Sequence, residues 1–114
     1  MGAGCLFCRI VEGSLRSKVV AQDSVCVAIE DIAPQAPVHL LVLPREHIAS
    51  VAALTEAGEP VLGHLARVAA DLARQRKLEA HGYRLVLNHG MDGGATVDHL
   101  HMHLLGGRKL SSMG

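Results

Sequence analysis

Three histidines stand at every second position of the run DHLHMHLLGG, residues 98–107: His99, His101 and His103. Imidazole is the side chain that serves near neutral pH as nucleophile, proton carrier or metal ligand. In a strand all three would project from one face, with Leu100, Met102 and Leu104 on the other. The apolar half belongs in a core, so the imidazoles form a row opposite it. Three readings follow. Solvated decoration explains one such histidine far better than three. A shared metal ion is awkward, because neighbours in the row lie about 6.5 to 7 Å apart at Cα and the outer pair about 13 Å; two can converge on one ion, three cannot do so easily. The third reading is nucleophilic catalysis at phosphorus, in which a neutral imidazole attacks and water breaks the labile N–P bond afterwards. That chemistry needs donors for phosphoryl oxygens and an acid for the leaving group. The stretch DGGAT, residues 92–96, offers backbone N–H groups and the Thr96 hydroxyl, and a flanking histidine offers the proton.

The rest of the chain must position that row. Its 114 residues set the expectation of one domain, and 49% hydrophobic content supplies a core. Phe7 and Tyr83 are the only aromatics and eleven basic residues balance eleven acidic ones, which argues against nucleic acid as a partner. No apolar run approaches a membrane span. Three cysteines are too few for a disulfide framework, and no charged-then-apolar leader opens the chain, so a reducing cytoplasm is expected. Met1-Gly2 is no myristoylation signal, since Leu6 stands where Ser or Thr is needed.

CLFCRIVEG reads as a short helical turn closed by Gly13, and KVVAQDSVCVAIED as a β-hairpin turning at Gln22-Asp23-Ser24. IAPQAP is a loop. VHLLVLP, residues 38–44, is a central strand with His39, Leu41 and Leu43 on one face and Val38, Leu40 and Val42 on the other. From Thr55 or Glu56 a long amphipathic helix carries Val61, Leu65, Val68 and Leu72 on its apolar side. YRLVLN is a strand, HGMDGGAT a glycine-rich loop and HLHMHLL the last strand. The fold class is α+β, with a sheet covered mainly on one side.

HLHMHLL, together with CLFCRI, DIAPQAPVHLLVLPREHI, GYRLVLN and DGGATVDHLHMHLLGGR, resembles the histidine triad (HIT) family, specifically its Hint branch of nucleotide-binding phosphoramidases. The resemblance runs from Cys5 to Arg108, so residues 1–114 form one HIT domain. It implies a five-stranded antiparallel sheet with one long helix and a short N-terminal helix, and homodimers that join two sheets. It also implies cleavage of the P–N bond of purine nucleoside 5'-phosphoramidates, yielding AMP or GMP through a nucleotidyl-histidine, with no cofactor needed for the chemistry.

By the same resemblance His101 is the nucleophile, His103 contacts phosphate and leaving group, His39 orients or relays protons to the nucleophile, and His99 completes the triad. Asp31 would take the ribose hydroxyls. Phe7, Ile10, Ile29 and Ile32 would wall the base, and Asn88 with Gly94, Ala95, Thr96 and Val97 would lie near the phosphate. Read from residue type alone, the apolar four are ordinary core, Asn88 a turn former, Asp31 a cap and His39 a satisfied core histidine. Ala95 stands where the family often has Gln, Asp98 where it has an aromatic, Arg16 where it often has Pro, and the tail lacks Trp. His103 argues against the transferase branch, which has Gln at that position. A dinucleotide polyphosphate hydrolase and a non-catalytic nucleotide-binding or scaffold module remain the alternatives. Finally, Cys5-x-x-Cys8 has zinc-ligand spacing, and some bacterial relatives hold a structural zinc on positions matching Cys5, Cys8, His47 and His99. The competing reading is a packed helix with His47 on the surface.

Overall fold

Short β-rich runs separated by turn formers pair into a five-stranded antiparallel sheet in the computed structural model, which describes residues 5–114. Met1-Gly2 lies outside the described residues. The elements are α1 (Leu6–Val11), β1 (Val19–Gln22), β2 (Cys26–Glu30), β3 (Val38–Pro44), α2 (Glu59–Gln75), β4 (Tyr83–Val86) and β5 (Met102–Gly106). In the sheet they run β1-β2-β3-β5-β4, which puts β3 at the centre with β5, the histidine strand, beside it. The Asp23 carboxylate accepts from the N–H groups of Val25 and Cys26 at 2.8 Å and so makes the β1–β2 turn where the sequence placed it.

Alternation then sorts the side chains. Leu40 and Val42 of β3, Met102 and Leu104 of β5, and Cys26 and Ala28 of β2 pack under Leu65, Ala69, Leu72 and Ala73 of α2. Burying each leucine of this layer contributes roughly 1.5–3 kcal/mol. The opposite face carries Val27, Ile29, Leu41 and Leu43, covered by Phe7 of α1 with Ile10, Val11 and Val97 around it. The second face is thus more covered than the expectation of one-sided burial allowed, and the histidines share that cover.

Two element boundaries differ from the sequence reading. The long helix begins at Glu59 rather than Thr55 or Glu56, because Glu56–Gly58 form a tighter 3₁₀ turn before Pro60 enters the first helical turn. Its buried side is Leu65, Ala69, Leu72 and Ala73, with Val68 only partly buried. The last strand begins at Met102, so His99 and His101 precede it. Pairing with β3 stops at Val42 opposite Met102. Beyond that point Pro44 has no N–H to give, its carbonyl accepts from the His99 ring, and the Leu100 N–H turns to the Ile48 carbonyl at 2.6 Å. β4 ends at Val86, opposite His103, for want of a partner further on.

The end of β5 is built for close approach. A Cβ on Gly106 would come within 2.9 Å of the Leu78 side chain, and one on Gly107 (φ +98°) within 2.9 Å of Pro37 Cβ. Gly106 therefore lets β5 end against Leu78, and Gly107 lets the chain leave it pressed against the loop between β2 and β3.

Candidate active site and an adjoining metal-ligand cluster

Leu100, Met102 and Leu104 enter the layer under α2, and the three histidines turn to the other face as their spacing predicts. They are not a solvated row. His99 is fully buried, His101 is 7% exposed and His39 6%. Phe7 of α1 stands edge-on to both His99 and His101, with ring centres 6.0 and 4.9 Å away.

The state of His101 follows from one bond. Its Nδ1 lies 2.7 Å from the carbonyl oxygen of His99, and a carbonyl can only accept, so Nδ1 carries the hydrogen. In the neutral ring Nε2 is left as an unprotonated lone pair, the form a nucleophilic imidazole needs. The His103 ring is next to it, 4.9 Å between centres.

A similar deduction fixes His39 and His103. The Gln35 backbone N–H donates to His39 Nδ1 at 3.0 Å, so the hydrogen of neutral His39 sits on Nε2. That Nε2–H faces His103 Nδ1 at 2.9 Å, with the Asp31 carboxylate further off at 3.4 Å. His103 in turn keeps its hydrogen on Nε2, the nitrogen away from His39. His39 therefore meets His103, whose ring lies beside that of His101. Asp31, just after β2, joins this group while also accepting from the Ala33 N–H at 2.8 Å.

Burial, reinforced by the neighbouring His101 and His39, pushes His103 down to about 4, and burial lowers His39 against the pull of Asp31. Both are neutral at pH 7. Their folded-state values lie below the unfolded value of 6.5, so the unfolded chain binds more protons as pH falls below it. Stability contributed by these groups is complete above pH 6.5 and declines as pH falls toward about 4. We expect the melting temperature to drop across that window and His103→Asn to flatten part of the drop. Asp23, held low by its 2.7 Å contact with His64, acts in a lower window and leaves this one legible.

A second cluster forms around His99. Cys5, at the N-terminus of α1, accepts from the Cys8 N–H at 3.2 Å, which brings both thiols to the same side. His99 Nδ1 lies 3.3 Å from Cys5 Sγ and 3.4 Å from Cys8 Sγ, and His47 Nδ1 lies 3.2 Å from Cys8 Sγ. One atom from each of the four residues falls within 4.8 Å of the others. Because His99 Nε2–H donates to the Pro44 carbonyl at 2.9 Å, its Nδ1 lone pair is aimed at the sulfurs, the orientation of a metal-binding imidazole with its outer nitrogen pinned. Burial and the adjacent Cys5 push the Cys8 thiol up to about 11, so only a bound cation would keep it as thiolate near pH 7. The donor set, two sulfurs and two imidazole nitrogens at this spacing, fits tetrahedral zinc.

The remaining sequence-predicted residues divide. Phe7, Ile10, Ile29 and Val97 come together on the histidine face. Ile32 does not join them and is 97% exposed. Asn88, Ala95 and Val97 line a cavity of about 270 Å³ beside His99, and Asn88 holds the glycine loop by donating to the Gly93 carbonyl at 2.6 Å. Within that loop the N–H groups of Gly93, Gly94 and Ala95 close turns onto Gly90 and Met91. Further along, the N–H groups of Thr96, Val97 and Asp98 bond no other described residue. Gln35, Pro44 and Arg108 lie in motifs that carry the resemblance, but their types and spacing assign them no role. The first two act through backbone groups, which residue type does not reveal.

With this geometry in place, similarity becomes informative. Residues 4–113 match the family model described as "Scavenger mRNA decapping enzyme C-term binding". The chain is 41% identical over 113 residues to the purine nucleoside phosphoramidase of Escherichia coli, covering 99% of this chain and 95% of that protein. Among solved structures it is similar to a HIT family hydrolase from Legionella pneumophila, with a TM-score of 0.93, 42% identity and coverage of 95% and 96% of the two chains. It also resembles a zinc-bound histidine triad family protein from Mycobacterium smegmatis, with a TM-score of 0.83, 26% identity and coverage of 100% and 82%.

Proposed function

Since the chain belongs to the histidine triad (HIT) family, we propose that it hydrolyses the P–N bond of purine nucleoside 5'-phosphoramidates through a covalent nucleotidyl-His101. The observation that carries this reading is the bond from His101 Nδ1–H to the His99 carbonyl, which leaves Nε2 free to attack. In the first step the Nε2–P bond forms and the P–N bond breaks. The leaving nitrogen takes its proton by way of His103 Nε2. Water then attacks phosphorus, the Nε2–P bond to His101 breaks, the water's proton goes back to His103 Nε2, and AMP or GMP is released.

Phe7, Ile10, Ile29 and Val97 form the apolar wall that receives the base, and exposed Ile32 would be covered by the base once bound. Asp31 meets the ribose hydroxyls with the carboxylate oxygen that Ala33 does not occupy. Thr96, Val97 and Asp98 present free N–H groups to phosphoryl oxygens. Asn88, Gly94 and Ala95 shape that segment. The chemistry draws on no cofactor.

Cys5, Cys8, His47 and His99 would hold a structural zinc, a reading supported by the closeness of the four donor atoms and by the zinc-bound state of the Mycobacterium smegmatis relative. When bound, zinc would keep both thiols ionised and tie α1 to the histidine segment. The free cysteines suit a reducing cytoplasm, and among the described residues no helix is long and apolar enough to cross a membrane. Edge strand β4, with Tyr83 and Leu85 partly exposed, is the surface on which two sheets would join into a homodimer.

The test is turnover of adenosine 5'-phosphoramidate beside a diadenosine polyphosphate. We expect AMP release from the amide to be faster by at least about tenfold, which is a difference of roughly 1.4 kcal/mol in transition-state binding. Preference for the polyphosphate would point to the sibling hydrolase. Tight AMP binding without hydrolysis of either would point to a binding module.

A further inference from the structure

We infer that Arg108 is a positioning residue for the proposed reaction, setting the hydrogen on His39, and through it on His103, by gripping the loop between β2 and β3. This inference rests on the phosphoramidase reading above. Three consecutive contacts make the path. The Arg108 guanidinium donates to the Gln35 carbonyl at 2.8 Å. Across the Gln35 Cα, the Gln35 N–H donates to His39 Nδ1 at 3.0 Å. His39 Nε2 then meets His103 Nδ1 at 2.9 Å.

The direction of every hydrogen in that path is fixed at its origin. Guanidinium has only donors, and the backbone N–H of Gln35 can only donate. His39 must therefore carry its hydrogen on Nε2 and His103 must accept it on Nδ1, which leaves His103 Nε2–H for the phosphoryl oxygen and the leaving nitrogen. If Gln35 moves away, neutral His39 regains its other tautomer, and half of the path reverses.

The loop holds itself together only in part. Asp31 accepts from the Ala33 N–H, and the Gln35 side chain donates to the Ala33 carbonyl. Those bonds stay within the loop and do not fix Gln35 relative to the sheet. The grip from outside comes from the end of β5. Gly107, at φ +98°, passes so near Pro37 that a Cβ would lie 2.9 Å from it, and Arg108 next to it reaches Gln35. Arg108 is itself braced by donating to the Lys109 carbonyl at 2.9 Å, and among the described residues it forms no ion pair. A guanidinium with no carboxylate partner, spent on two carbonyls, is placed by geometry rather than by charge pairing. This gives the ending Leu104-Leu105-Gly106-Gly107-Arg108 a role: Gly107 permits the approach to the loop and the arginine completes it.

The experiment compares the wild type with Arg108→Ala, Arg108→Lys and, as a charge control, Lys109→Ala. Steady-state turnover of adenosine 5'-phosphoramidate is measured together with the side-chain ¹⁵N signals of His39. Arg108→Ala should lower kcat about three- to tenfold with KM within about twofold, the size of one lost hydrogen bond expressed in the transition state. The His39 Nδ1 signal should move from the unprotonated position toward the average of two tautomers. Arg108→Lys should recover part of both, and Lys109→Ala should change neither. The inference is overturned if Arg108→Ala leaves the His39 signals as in the wild type, whether or not kcat falls, since the effect would not run through His39. A wild type that turns over no phosphoramidate, while Arg108→Ala still shifts His39, would reject the reaction and leave the positioning role standing.

Discussion

Replacing His101 by alanine should lower kcat for adenosine 5'-phosphoramidate by on the order of 10³-fold or more, because it removes the atom that forms the first covalent bond. The expectation is specific to this histidine. His101 alone combines a nitrogen fixed as donor to a backbone carbonyl with a second nitrogen free of any partner among the described residues. His103 and His39 spend a nitrogen on each other, and His99 spends both on Pro44 and the cysteines. Alanine at position 103 should therefore cost less, on the order of 10²-fold, the low end of the usual share of a single proton-transfer group. AMP affinity of His101→Ala should stay within a few fold, since Ile10 and Ile29 of the base wall stay in place and Phe7 loses one edge-on contact. Comparing kcat, KM and AMP binding for the two variants checks the assignment. Equal losses at 101 and 103, or turnover retained at 101, would contradict it.

The second large effect concerns the metal cluster. The protein purified without chelator should carry about one zinc per chain, and Cys8→Ser should abolish it. Zinc present at 100 to 1,000 times its dissociation constant adds roughly 2.7 to 4.1 kcal/mol to folding. For a domain of this size that corresponds to a melting temperature roughly 10 to 20 °C lower once the metal is stripped. Elemental analysis with thermal melts, before and after chelation and after zinc is restored, reads both quantities. The catalytic consequence should be smaller. His99 bears on the nucleophile through its backbone carbonyl, so loosening the cluster blurs the position of His101 without removing it. A metal-free protein whose melting temperature ignores both chelator and Cys8→Ser would refute the zinc assignment.

Legibility of this molecule in its sequence follows a physical line. Period-two alternation in VHLLVLP and HLHMHLL fixes which side chains meet α2 and which meet Phe7, and both faces come out as the pattern requires. The hairpin turn at Asp23 and the close of α1 at Gly13 are equally visible, because side-chain and φ demands act locally. Where elements start is less visible. The 3₁₀ turn at Glu56–Gly58 and the late start of β5 depend on which partners have hydrogen bonds left to give, as Pro44 does not. The identities of the reactive histidines can be read from spacing and resemblance, but their hydrogens cannot. Those are set by the carbonyls of His99 and Pro44 and the N–H of Gln35, main-chain groups every residue type supplies. The same reason hides Arg108, whose target is a carbonyl across 73 residues of chain.

Mass spectrometry of the protein quenched within milliseconds of mixing with adenosine 5'-phosphoramidate tests the covalent step directly. The account predicts one added adenylyl group on His101, absent in His101→Ala. AMP released by the wild type with no adduct at any quench time, under conditions where a synthetic phospho-histidine survives the work-up, would contradict it and assign the attack on phosphorus to water.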